Sequence, residues 1–239
     1  GIREPARQDL NQSLDAGSAR AAFAAALKYM RNRWQAYSSL TIGLSANTII
    51  GYVASWNVVL FQRRWDWKID DIGLALGLVL LVFGPLGTLL GGAAADRLAR
   101  AGHKDSAMRI TIGGIIGMVV FSTLYPIASS PAVVLSFFAL TVLGGAAAAA
   151  SGAVALVTIS ANQVRAQATA LYWIVKNLAG LMLGPVSVGF LTDRVFGDPN
   201  KVGSSMAVTS VVFGAVGIAA LVMGLRHYRA CVEASDGQQ

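Results

Sequence analysis

Six long stretches of almost uncharged apolar sequence constrain this chain more than any other feature. A bilayer core of about 30 Å needs about 20 helical residues at about 1.5 Å each. Residues 36–61, 72–95, 107–128, 131–160, 166–192 and 203–225 all reach that length. The chain is 55% apolar and 13% charged, with a mean hydropathy of +0.58, more apolar surface than a soluble core of 239 residues can use. The alternating decads of a membrane barrel are absent, so each span must satisfy its own backbone hydrogen bonds as a helix. The expected fold class is an all-α membrane protein, with a cytoplasmic linker over 1–35, a six-helix bundle over 36–228 and a tail over 229–239.

The charges that remain fall in the gaps. Arg3, Arg7, Arg20, Lys28, Arg31, Arg33, Arg97, Arg100, Lys104, Arg109, Arg165, Arg226 and Arg229 collect on one side, against Arg63, Arg64, Lys68, Arg194 and Lys201 on the other. Loop cations favour the cytoplasmic side, which predicts an inner-membrane protein with both termini inside. The net charge of +7 is therefore a statement about orientation and not about nucleic acid. Trp34, Trp65 and Trp67 stand where aromatic belts form at membrane boundaries. Before the first span, Phe23, Leu27, Met30 and Trp34 recur at helical spacing among cations. That pattern fits a helix lying on membrane lipid, and it equally fits a linker that simply continues into the span.

Polar residues inside the spans carry the functional signal. Ser38, Thr41, Ser45, Thr48, Tyr52 and Ser55 repeat at intervals of three and four, placing six hydroxyls on one face of the first span, with Asn47 and Asn57 beside or near it. Such a stripe can line a wet pathway; alternatively, its hydroxyls bond back to their own helix or join neighbouring helices. Lys176 is the nineteenth cation and the one inside a span. A lysine at mid-membrane costs about 2.5–3.5 kcal/mol on insertion scales, so it needs water, a carbonyl, an acid from elsewhere or an anionic solute, unless it snorkels to an interface. No span offers a central carboxylate. On a helical wheel Lys176 shares a face with Thr169, Tyr172, Trp173, Gly180, Gly184 and Ser187, with Asn177 at its flank. The candidate solute-binding residues are Lys176, Asn177, Tyr172, Trp173, Ser45, Asn47, Thr48, Tyr52 and Ser55.

Small residues predict close helix packing: Gly87 with Gly91, Gly180 with Gly184, and the run from Gly144 to Gly152. Gly84-Pro85 and Gly184-Pro185 are expected to loosen their helices. The second and fifth spans both end G-x-x-x-D-R, at Gly92–Arg97 and Gly189–Arg194, three spans apart and facing opposite sides, the pattern of an inverted repeat. Enzymatic readings find no support. His103 and His227 lie in polar flanks, no H-E-x-x-H zinc pattern occurs, and no phosphate-binding G-x-x-x-x-G-K-[ST] loop is present. No metal site and no cofactor is expected, and the lone Cys231 provides no disulfide framework.

Gly92-x-x-x-Asp96-Arg97-x-x-Arg100, followed by Gly102-His103-Lys104, resembles the cytoplasmic signature of the major facilitator superfamily, with Ala99 where a glycine is usual. Arg3-Glu4-Pro5-x-Arg7 is similar to the linker after the sixth span in the spinster-like branch. Its eleventh span and outer loop are resembled by Ala170-Leu171-Tyr172, Asn177-Leu178-Ala179-Gly180, Leu183-Gly184-Pro185, Val188-Gly189 and Thr192–Pro199. The resemblance implies one half of a 3+3 inverted-repeat fold, spans seven to twelve, whose N-terminal six-helix half precedes Gly1. It implies that Gly92, Asp96, Arg97 and Arg100 act in gating, Asp96 and the arginines as a charge relay holding the cytoplasmic face closed. Lys176 departs from the apolar residue expected there, so the resemblance assigns it no role. The function implied is secondary active transport of a small organic or lipid-like anion by alternating access, coupled to an ion. A six-span channel or a self-assembling half-transporter is the alternative.

Overall fold

The computed structural model describes residues 16–236, with side-chain surroundings from Phe23 to Ala234. The Arg3–Arg7 linker and the Arg20 side chain lie outside the described residues. Among these residues there are helices and no strands.

Helix α1 (Ala16–Asn32) leads through a turn at Arg33 into the first span, which is α2 (Trp34–Val53) and α3 (Asn57–Trp65) joined by a 3-10 turn at Ala54–Trp56. The second to sixth spans are α4 (Ile69–Arg100), α5 (Ser106–Leu124), α6 (Pro131–Thr158), α7 (Arg165–Phe190) and α8 (Val202–Asp236). Six helices are thus long and apolar enough to cross a membrane, matching the six expected spans. Three departures stand out. The first span is not one uniform helix. The fifth ends in a π-helical turn, Leu191–Phe196, so the second G-x-x-x-D-R runs into an unwound end closed by Gly197 at φ 60°. The sixth continues to Asp236, past the expected boundary at 228, because Tyr228 and Val232 are buried in the bundle and keep the helix docked. Both α4 and α7 run unbroken through Pro85 and Pro185.

Small residues set which helices meet. A Cβ on Gly114 would lie 2.7 Å from the Gly144 carbonyl, and one on Gly144 would lie 2.9 Å from the Gly114 carbonyl, so α5 and α6 touch backbone to backbone. Between α8 and α2 the same closeness comes from Gly217 against Ala46 and Gly43 against Leu221. The remaining extensive contacts are α4 with α6, α7 with α2, α5 with α8, and α6 with α2. Exchanging each span with the one three places along maps this set onto itself: third–fourth onto sixth–first, and second–fourth onto fifth–first. The packing is therefore that of a 3+3 repeat, as the paired motifs led one to expect.

The bundle has two distinct ends. At one, Arg33 and Arg165 donate to the carbonyls of Ile159 and Ser160 as α6 terminates, and Tyr37 shares a hydrogen bond of 2.9 Å with Ser160. Cations are well placed at such a helix C-terminus. At the other end, Arg63 and Arg64 donate to the carbonyls of Pro199 and Pro126, and Phe61 packs against Trp65 and Trp67. Among the described residues, Arg33 and Arg165 of one group and Arg63 and Arg64 of the other thus lie at opposite ends of the fold.

Candidate functional site

The site is built where α2 crosses α7. Of the α7 side chains, Ala168, Tyr172, Lys176, Gly180, Gly184 and Val188 are buried, an i, i+4 row that turns one face toward α2. Gly180 and Gly184 bring the helices together. A Cβ at Gly180 would meet Thr48 at 2.6 Å and Tyr52 at 2.8 Å, and one at Gly184 would meet the Ile49 carbonyl at 2.8 Å. One turn along, Lys176 is only 7% exposed. Its ammonium stands 3.6 Å from the Trp173 ring centroid and 5.4 Å from that of Tyr172. The two rings are set edge to face at 6.0 Å. No carboxylate among the described residues forms an ion pair with it. A cation over ring faces gains about 2 kcal/mol when desolvated, comparable to but smaller than the insertion cost. The aromatic pair holds Lys176 in place without neutralising it.

The stripe on α2 divides into three parts. Ser38 and Thr41 line a groove of 510 Å³ with Trp34, Leu171, Tyr172 and Val175. Ser45 is buried between helices. Thr48 and Tyr52 face a second cavity of 360 Å³, shared with Asn47, Tyr125, Thr141 and the apolar Leu80 and Phe138. The line of hydroxyls thus has members in two separate cavities along α2. Several members also bond to their own helix: Thr48 to the Leu44 carbonyl at 2.9 Å, Ser55 to that of Tyr52 at 2.8 Å, and Ser38 to that of Gln35 at 3.4 Å. Both readings of the stripe therefore describe the same residues. Of the candidate residues, Asn47 and Tyr172 each bury a polar atom with no hydrogen-bond partner among the described residues, the Asn47 Oδ1 and the Tyr172 hydroxyl. Such groups cost about 1–3 kcal/mol each unless water or a ligand meets them.

Some expected members stand apart. Ser55 is exposed at the end of the stripe, and Trp173 is 47% exposed, outside the buried row that holds Lys176. The Asn177 amide donates to the Trp173 carbonyl at 2.8 Å and so is engaged along its own helix. Trp56, which sequence reasoning passed over, donates from Nε1 to the Pro185 carbonyl at 3.1 Å and ties the 3-10 turn of the first span to the fifth.

The residues expected to act in gating lie together at one end of the bundle. Asp96, Arg97 and Arg100 are exposed at the end of α4, and Gly92 is half-buried. Arg100 Nε donates to the main-chain carbonyl of Asp96 at 3.3 Å, so the expected side-chain relay is not made among the described residues. The ion network of this end is centred instead on Asp105, one loop later. Its carboxylate is buried and accepts from Arg109 Nε at 2.8 Å and from Arg229 Nε at 2.5 Å, linking the start of α5 to the end of α8. Burial alone would raise the Asp105 pKa, but hydrogen bonds and charge from Arg109 and Arg229 outweigh it and hold the carboxyl below its ordinary range. Asp105 and Arg109 are spaced as an i, i+4 pair in the sequence, but Arg229 lies 124 residues away and only the fold reveals it.

No family model and no curated relative matches this sequence. Among solved structures, the chain is similar to a bacterial homologue of the human lysosomal transporter Spinster, inward-facing and unoccupied. The TM-score is 0.63 at 15% identity, over 97% of this chain and 54% of that one. Against the inward-facing, occupied form the TM-score is 0.60 at 15% identity, over 83% of this chain and 49% of that one. The chain thus spans about half the length of these structures. At this identity the likeness shows the fold alone: six helices long and apolar enough to cross a membrane, arranged as in about half of those structures.

Proposed function

We propose that this chain is the carboxyl-terminal half of a secondary active transporter in the inner membrane, moving a small organic or amphipathic anion by alternating access. The observation that carries the reading is Lys176: a buried ammonium without a carboxylate, held by two aromatic rings in a half-bundle of transporter fold. An anionic head group would supply the missing counter-charge, and Tyr172 OH on the same helix and Asn47 Oδ1 on α2 are further polar atoms without a partner among the described residues. The cavity and groove along α2 would pass the solute as this bundle rocks against an N-terminal half. In the proposed orientation the Asp105 end faces the cytoplasm. Asp96, Arg97 and Arg100, exposed there, would latch against that other half and not against one another. With no central carboxylate in these spans, any proton-coupling acid belongs to the N-terminal half.

The test is counterflow in proteoliposomes containing the full-length protein, comparing amphipathic anions with neutral solutes of the same size. Exchange confined to the anions is expected. Exchange of neutral solutes alone, or a conductance without exchange, would contradict the proposal.

A further inference from the structure

At the end of the bundle remote from Asp105, a cleft of 370 Å³ opens between the end of α3, the turn after α5 and the start of α8. Its size falls within the range of about 300–1,000 Å³ typical of ligand pockets. Arg63, Arg64 and Lys201 all line it, and no acidic side chain does. The acids of this end, Asp66, Asp70, Asp71, Asp193 and Asp198, form no ion pair with the three cations among the described residues. Asp198 accepts from the Asn200 backbone N–H at 2.8 Å.

The arginines are held in place from behind. Arg63 donates from Nη1 to the Pro199 carbonyl at 2.6 Å. Arg64 donates to the carbonyls of Pro126 at 3.1 Å and Ile127 at 3.4 Å, while its guanidinium stacks 5.1 Å from the Trp65 ring centroid. A guanidinium has five N–H donors, so each keeps donors to spare. Backbone carbonyls fix their direction without cancelling their charge. The N-terminal end of α8, a helix of 35 residues, adds positive potential from the same side. Ile127, which lines the cleft, is 50% exposed, and Leu124 at the end of α5 is 40% exposed.

We infer that this cleft is a binding site for a phosphate group, either the head group of an anionic phospholipid in the adjoining leaflet or free inorganic phosphate. Paired guanidinium forks match the tetrahedral oxygens, and Lys201 adds a compact third charge. The site is separate from Lys176 and involves neither α4 nor α7, so it stands whether or not the transport reading does.

The full-length protein is placed in nanodiscs of phosphatidylcholine alone, or with phosphatidylglycerol, and bound lipid is counted by native mass spectrometry; inorganic phosphate is titrated in the neutral discs. Wild type is expected to retain phosphatidylglycerol, or to bind phosphate, at least tenfold more tightly than R63Q/R64Q. Retention of the lipid assigns the head group; saturable binding of the ion alone assigns free phosphate. Because the arginines also brace loop carbonyls, K201Q is the second variant. It removes a charge with no such bond and is expected to weaken the same binding several-fold. Equal binding of both probes by wild type and K201Q, or binding of neither by wild type, would overturn the site.

Discussion

The contact of α4 with α6 and that of α7 with α2 occupy equivalent places in the repeat, yet they are made of different material. Gly87 and Gly91 of α4 lie directly on the α6 backbone, where a Cβ would come within 2.4 Å of the Leu143 carbonyl and 2.7 Å of the Ala147 Cα. That contact is made of glycine, alanine and backbone. In α7, Gly184 likewise lies on the Ile49 carbonyl, but Gly180 meets the side chains of Thr48 and Tyr52, and the same face carries Tyr172 and Lys176. Duplicated packing geometry has been kept for adhesion on one side and opened to polar groups on the other. The difference fits the site proposed in the second place, because side chains around a buried cation can leave room that glycine-on-backbone contact does not.

The largest expected effect comes from breaking the glycine-on-backbone contact of α4 with α6. Gly91→Leu forces a side chain into the α6 backbone and should destabilise the protein by about 3 kcal/mol, read from unfolding in detergent; a negligible change would show that these helices do not touch as described. Lys176→Met should act in the opposite direction, raising stability by about 1–3 kcal/mol, since an unneutralised buried ammonium is replaced by an apolar chain of similar length. A marked loss of stability would reveal a partner for the lysine and weaken the contrast. Asp105→Asn should cost about 1–2 kcal/mol by weakening both arginine bonds. Because the folded state holds this carboxyl below its ordinary range, its stabilisation is complete at neutral pH and lost as the pH falls through its folded value. Acid titration of wild type against the variant should therefore converge at low pH. The smallest effect is expected at Gly180→Ala, below about 1 kcal/mol, since Thr48 and Tyr52 can shift aside. A loss equal to that of Gly91→Leu would make the two contacts alike.

Much of this was legible from residue patterns alone. Six spans followed from runs of apolar sequence, their two-sided charge from loop cations, and Lys176 from its isolation, because each is a property of hydropathy along one segment. Close packing at Gly87, Gly91, Gly180 and Gly184 was readable for the same reason. What escaped depends on residues far apart in the chain. The Asp105–Arg229 pair needs two distant helix ends to meet, and the continuation of α8 to Asp236 depends on Tyr228 and Val232 finding the bundle. The 3-10 turn at Ala54–Trp56 was hidden because every residue in it is also tolerated in a helix. Conversely, the resemblance at Asp96–Arg100 implied a side-chain relay, and within this chain Arg100 donates to a main-chain oxygen.

The most direct test of the central claim is exchange of a radiolabelled amphipathic anion by proteoliposomes containing full-length Lys176→Met, beside wild type reconstituted at equal density. If the ammonium is the counter-charge for the solute, exchange falls at least a hundredfold while circular dichroism and the unfolding midpoint show an intact bundle. Wild-type exchange by the well-folded variant would contradict the account.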